Sequence, residues 1–130
     1  MMLVKTYLGQ SKIEGIGLFA AEPIRKDTVI WRFNPTVDQK LTEEQIASIA
    51  EPGQESIRKY TYRHRITNMY ILCADDMRFM NHASQPNCLD ILYADQPDIT
   101  VALKDIAVGE EMTCDYSVID QDLIDGKYQI

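Results

Sequence analysis

Short apolar runs, alternating or rich in β-branched residues, recur along the chain, and each is too brief to make a helix. They occupy Met2–Leu8, Leu18–Ala20, Val29–Phe33, Met69–Cys73, Leu89–Tyr93, Ile99–Leu103 and Met112–Tyr116. Successive side chains of a strand point to opposite faces, so runs of this length and period predict half-buried strands. The period changes once. Thr42 and Gln45 stand ahead of Ile46, Ile49 and Ala50, at the spacing where an N-cap hydroxyl and a glutamine three residues on cap each other's backbone N–H. A helix is predicted there, stopped by Pro52-Gly53, with a further helical turn or two over Gln54–Tyr62. Strands, a helical insert and strands again exclude a regular βαβ alternation and predict a mainly β chain.

One internal echo stands out: "AAEPIRKDTVI" from Ala20 and "ALKDIAVGEEM" from Ala102. Each has a small residue, an isoleucine four on, a turn residue three later, and then a strand, so both predict strand, tight loop, strand. Two copies fall short of a repeat architecture, which needs about three stacked units.

At 130 residues, 45% hydrophobic and 25% charged, the chain has the make-up of one globular domain. The opening MMLVKTYLGQ lacks the apolar core of a secretion signal, and no stretch nears the roughly 18 apolar residues of a membrane span. These features predict an intracellular, cytoplasmic protein without a membrane partner. Cys73, Cys88 and Cys114 are odd in number and form no C-x-x-C pair, so they read as reduced thiols rather than a disulfide framework or a four-thiolate zinc site. A net charge of −7 and a pI near 4.7 argue against direct nucleic-acid binding, whose footprint is basic. The acidity suits a cationic partner and equally suits plain solubility.

"GIGLFA" at Gly15–Ala20 fits the dinucleotide fingerprint, with Asp38 where a ribose-binding acid would stand. That fingerprint must open a helix. Pro23 and the β-rich "TVIWRF" leave no room for one, so what survives is a sharp turn or a close backbone approach around Ile16. "MRFMNHASQPNC", Met77–Cys88, is denser in polar chemistry. A zinc site using His82 and Cys88 with His64, Cys73 or Cys114 lacks the close ligand pairs zinc favours. A nucleophilic Cys88 paired with His64 or His82 lacks a local signature. Alternatively, Asn81 and Asn87 fasten loops or hold a polar ligand, with Pro86 stiffening the turn.

Taken together, "GIG", "RFMNHASQPNC" and "GEEMTCDY" occur in the order and at about the spacing seen in SET-domain lysine methyltransferases, whose patterns are close to G-x-G, R-F-x-N-H-S-C-x-P-N and G-E-E-L-x-x-D-Y. The chain resembles that family from about Leu3 to Tyr116. The resemblance implies a single SET domain over residues 1–130, with a variable helical insert at about 38–66 and a short tail at 117–130. It implies a mainly β fold of several small antiparallel sheets in which the C-terminal segment threads beneath a central loop, a pseudoknot. It further implies S-adenosylmethionine as cofactor, held by Gly15, Ile16, Gly17, Arg78, Asn81 and His82, with Tyr116 as the catalytic tyrosine. The implied substrate is a lysine of a basic protein or histone-like tail, which would place the protein on chromatin in a eukaryotic or host setting. A homodimer is left open.

The chemistry follows from what a lysine amine needs. It is a nucleophile only when neutral and must attack in line with the departing sulfur, so alignment in a dry channel is the main task. A tyrosine hydroxyl can orient the amine by dipole, where a carboxylate would hold it as ammonium. Tyr62, Tyr70 and Tyr93 are candidates to line that channel, although aromatics at strand positions are commonly core. The chain also departs from the family. Ala83 and Ser84 stand for serine and cysteine, Phe33-Asn34-Pro35 stands for Tyr-x-Gly, and no cysteine follows Tyr116. Another element must then close the channel, and Tyr128 is the candidate lid residue. Two functions follow as alternatives: a lysine methyltransferase, or a SET-like binding module that transfers nothing.

Overall fold

The computed structural model describes residues 1–130 as three small sheets packed around one apolar core. The first sheet holds β1 (Thr6–Gln10), β2 (Ile16–Ala20), β10 (Glu111–Cys114) and β7 (Asn81–His82), in that order. β1 and β2 form an antiparallel hairpin from Thr6↔Ala20 to Gln10↔Ile16. β10 is antiparallel to β2 and parallel to β7, with Thr113 opposite Asn81 and Cys114 opposite His82. The second sheet orders β3 (Val29–Arg32), β9 (Ile99–Ala102) and β8 (Cys88–Ile91). The third orders β4 (Gln39–Leu41), β6 (Tyr70–Leu72) and β5 (Thr61–Arg63).

Local chemistry explains several of these boundaries. Thr42 and Gln45 form the expected reciprocal cap on α1 (Glu43–Ala47), whose Ile46 is wholly buried. α2 (Gly53–Tyr60) follows the Pro52 break. The "GIG" turn opens a strand and not a helix. The first strand, expected from Met2, starts at Thr6, because Met2 and Leu3 bond singly towards Trp31 and Ile30. The last strand, expected to reach Tyr116, stops at Cys114. Asp115 there accepts from the Ser117 N–H and caps the short helix α3 (Tyr116–Ile119), and Asp120 caps α4 (Gln121–Ile124) in the same way. No helix is long and apolar enough to cross a membrane.

The two echoed segments meet. Ile24 and Ile106 exchange backbone hydrogen bonds of 2.9 and 2.7 Å, Asp27 N–H donates to the Ala102 carbonyl, and Gly109 N–H donates to the Ala20 carbonyl, both at 2.8 Å. The turn residues Asp27 and Gly109 both have positive φ, 69° and 83°. The similar segments thus pair as an approximate two-fold, burying Ile24 and Ile106 against Leu18, Ile30 and Met112 in the core.

Candidate active site

Asn81 ties the "GIG" turn to the last strand. Its Nδ2 donates to the carbonyls of Glu14 (3.1 Å) and Ile16 (3.3 Å) and to Glu111 Oε1 (3.0 Å). Ser11 Oγ donates to the same carboxylate at 2.8 Å. Gly17 leaves room for this carboxylate, since a Cβ there would lie 2.9 Å from the Glu111 carboxyl carbon and displace it. Next to Asn81, His82 Nδ1 accepts the Tyr116 N–H at 3.1 Å, so its proton sits on Nε2. Asn81 Oδ1 and His82 Nε2 have no partner within the protein. Asn81 with the exposed Ile16 and the open space at Gly15 makes a shelf offering an acceptor and an apolar contact, and His82 follows at its edge with a free donor. Gly15, Ile16, Gly17 and Asn81 therefore come together, and His82 stands next to Asn81 in β7, turned towards Tyr116. Arg78 instead lies against the cavity described next, its Nε and Nη2 donating to the Cys73 carbonyl at 3.1 and 2.7 Å.

Asn87 holds β10 from the other side. It is buried, its Oδ1 accepts the Thr113 N–H at 2.8 Å, and its Nδ2 donates to the Glu111 carbonyl at 2.8 Å. That clamp fixes the strand that delivers Tyr116. The Tyr116 hydroxyl donates to the Met80 carbonyl at 2.7 Å, one residue before the Asn81–His82 shelf. Burial raises the Tyr116 phenol above its usual range, so it is a neutral dipole at physiological pH.

Tyr116 forms part of the wall of a cavity of about 350 Å³, to which Trp31, Tyr60, Tyr62, Met80 and Tyr128 also contribute. Burial raises Tyr62 as well. Of the aromatic candidates, the structure brings Tyr62, Tyr116 and Tyr128 to this cavity and leaves Tyr70 and Tyr93 off its wall. Tyr70 is a core residue donating to Asp122 Oδ2 at 3.0 Å, its phenol pushed up to about 12 by burial and that bond. Tyr93 meets Asp98 through its backbone N–H. Tyr60, edge-on to Phe79 at 5.3 Å, has no sequence signal beyond its place at a helix end.

Asp90 also escapes a reading of the sequence. It lines the cavity from β8, where strand alternation marks it only as a polar position. Its Oδ1 accepts from the Thr100 hydroxyl, while its Oδ2 is buried without a hydrogen-bond partner. Burial raises this carboxyl above its usual range.

The tail closes one side of the cavity. Tyr128 Oη donates to Asp120 Oδ2 at 2.5 Å. Arg63 of β5 pairs with Asp122 at 2.6 Å and also with Asp125, Lys127 pairs with Asp122 at 2.9 Å, and the Arg63 N–H donates to Asp120 Oδ1 at 3.0 Å. Burial alone would raise Asp122, but its bonds from Lys127 and Tyr70 and the Arg63 charge outweigh it and hold the carboxyl low.

The metal and thiol alternatives find no support in the geometry. His64 is buried, with Nε2 3.0 Å from Asp98 Oδ2 and Nδ1 accepting the N–H groups of Ile66 and Thr67. Burial pushes the Cys88 thiol up to about 12, which removes the thiolate a nucleophile needs. No three metal-ligating side chains lie together.

Comparison with known proteins agrees with this β architecture. The SET domain profile matches residues 15–117, and the chain belongs to the SET-domain family. It is similar to the human histone-lysine N-methyltransferase 2D, 31% identical over 117 residues covering 85% of this chain and 2% of that protein. It is also similar to human histone-lysine N-methyltransferase SETD1A, 34% identical over 121 residues covering 86% and 7%. The chain thus spans a small fraction of these relatives. Among solved structures, the Chaetomium thermophilum Polycomb Repressive Complex 2 aligns with TM-score 0.69 at 22% identity, over 94% of this chain and 16% of that one. A Plasmodium falciparum candidate histone methyltransferase aligns with TM-score 0.64 at 22% identity, over 88% and 95%. These likenesses show a shared fold.

Proposed function

We propose that this protein is an S-adenosylmethionine-dependent protein-lysine N-methyltransferase. The observation that carries the reading is the position of Tyr116, which lies on the aromatic cavity and bonds the Met80 carbonyl beside the Asn81–His82 shelf. A lysine side chain entering the cavity and a cofactor on the shelf would meet at that hydroxyl. The shelf fits the cofactor: Asn81 Oδ1 and His82 Nε2–H suit a purine edge, and the Glu111 carboxylate favours a ligand carrying positive charge. S-adenosylmethionine supplies an electrophilic methyl on sulfonium.

The residues of this chain do the rest. Trp31, Tyr60 and Tyr62 exclude water and offer ring faces to a cation, and the neutral Tyr116 hydroxyl orients the amine. The tail, tied down through Arg63 and Asp120, supplies the closing wall that the family's cysteine-rich segment supplies elsewhere. The tail residues on this cavity wall favour the enzyme over the binding-module alternative. The expected substrate is a basic protein or histone-like segment, which the acidic chain, net −7, would attract.

The test is transfer of a labelled methyl group to basic proteins by the wild type and by Tyr116→Phe. Transfer by the wild type, reduced at least about a hundredfold in the variant with cofactor binding intact, is the expected result. Absence of cofactor binding to the folded wild type, or undiminished transfer by the variant, overturns the assignment.

A further inference from the structure

Three residues stand in a row across the second sheet. Trp31 is opposite Thr100 on β3 and β9, and Asp90 is opposite Thr100 on β8 and β9. Directly opposed residues share a face, and both ends of this row, Trp31 and Asp90, lie on the cavity wall. The row carries the buried side-chain polar atoms that lack a hydrogen-bond partner in the protein: Trp31 Nε1, a donor, and Asp90 Oδ2, an acceptor. Unpartnered buried polar atoms cost about 1–3 kcal/mol each and are uncommon in folded proteins. The Cys114 thiol of β10 faces Asp90 as a weak donor, and neighbouring cations do not relieve it. Arg58 is paired with Glu43 at 2.6 Å, Arg78 with the Cys73 carbonyl, and Lys59 lies over the Tyr60 ring. Thr100 meanwhile fixes the carboxyl by bonding its other oxygen.

We propose that Asp90 Oδ2 is the acceptor for an N–H of the substrate's ε-ammonium, making the cavity selective for amines that still carry a proton. The inference rests on the methyltransferase reading only for the identity of that amine. A fixed carboxyl among aromatic faces recognises a cation twice, by charge and by hydrogen bond. A trimethylated nitrogen keeps the charge and loses the bond, so the contact holds the un-, mono- and dimethylated ammonium forms and releases the trimethylated one. Capture as a cation is compatible with transfer as an amine, because a carboxyl that burial biases towards its protonated form can take the proton. The ammonium and carboxylate become amine and carboxylic acid, with no further reactant, and the proton returns to solvent when product leaves.

The sole tryptophan, Trp31, gives the test a reporter, since its indole N–H is a single resolved signal in a ¹⁵N-labelled sample. Titrations of the wild type would use n-butylammonium, 1-butanol and N,N,N-trimethylbutylammonium, which separate charge from N–H. Binding of butylammonium about tenfold tighter than either analogue is expected, with the preference erased in Asp90→Asn, which keeps the Thr100 bond. Equal binding of the three probes to the wild type, a result that needs no variant to fold, overturns the proposal. So does a preference retained in Asp90→Asn. The readout needs no methyl transfer. Selective binding without transfer activity would sink the enzyme reading alone, and transfer without selective binding would sink the Asp90 role alone.

Discussion

Replacing Asn87 by alanine should destabilise the fold severely, although the residue touches neither cavity nor shelf. Asn87 is 5% exposed, and its amide satisfies the Thr113 N–H and the Glu111 carbonyl, both at 2.8 Å. Alanine leaves both backbone groups without partners in a site closed to water. Each such orphan costs about 1–3 kcal/mol, so the pair should cost about 3 kcal/mol or more. Against a total stability of about 5–15 kcal/mol for a domain of this kind, that is a large fraction. It corresponds to a fall in Tm of about 10 °C at this chain length. Urea unfolding followed by circular dichroism should show a lower midpoint with an unchanged slope. Asn87→Asp sharpens the test, because it keeps the acceptor for Thr113 but loses the donor to Glu111 and sets a charge near Glu110. It should be at least as destabilising at neutral pH and recover partly as the new carboxyl is protonated. If Asn87→Ala unfolds within about 0.5 kcal/mol of the wild type, β10 does not depend on this clamp and the reasoning fails.

Other outcomes follow from the same geometry. Gly17→Ala should push the Glu111 carboxylate off Ser11 and Asn81 and cost about 1–2 kcal/mol, with cofactor affinity measured by calorimetry falling alongside. Asp122 is held below its usual 3.8, so its contribution to tail docking is present above that value and lost as pH falls through the lower folded value. Thermal melts against pH should show this loss in the wild type and not in Asp122→Asn. Asp90 has the opposite sign: its folded pKa is raised by burial, so ionisation costs stability as pH rises through it. Asp90→Asn should therefore melt higher than the wild type at neutral pH, with the advantage gone below about pH 4; a lower neutral-pH Tm would contradict this.

Much of the frame was legible because it is governed by neighbours along the chain. The Thr42–Gln45 cap, the strand opened by "GIG" and most apolar runs depend on period and on caps a few residues away. Shorter elements escaped because they are made by their partners. The two residues of β7 are a strand only because β10 lies beside them, and β4 and β5 exist as edges of β6. The last strand ends early because Asp115 prefers to cap a helix, a choice that becomes possible once His82 accepts the Tyr116 N–H.

By itself, the sequence determined the mainly β class, the motif order that marks the family, and the twin isoleucine loops at Ile24 and Ile106. It did not state that those loops pair with each other. It marked Tyr62, Tyr116 and Tyr128 as candidates alongside Tyr70 and Tyr93, since alternation along a strand distinguishes its faces but not what each face meets. Only the tertiary structure separated a cavity wall from the core, added Tyr60, and set Asp90 beside Thr100 and Trp31 with one oxygen unpartnered. Trp31 reaches the neighbouring strands of Asp90 and Thr100 from far earlier in the chain, and Tyr60 from a helix between them, so their meeting depends on sheet register and on packing across the whole fold.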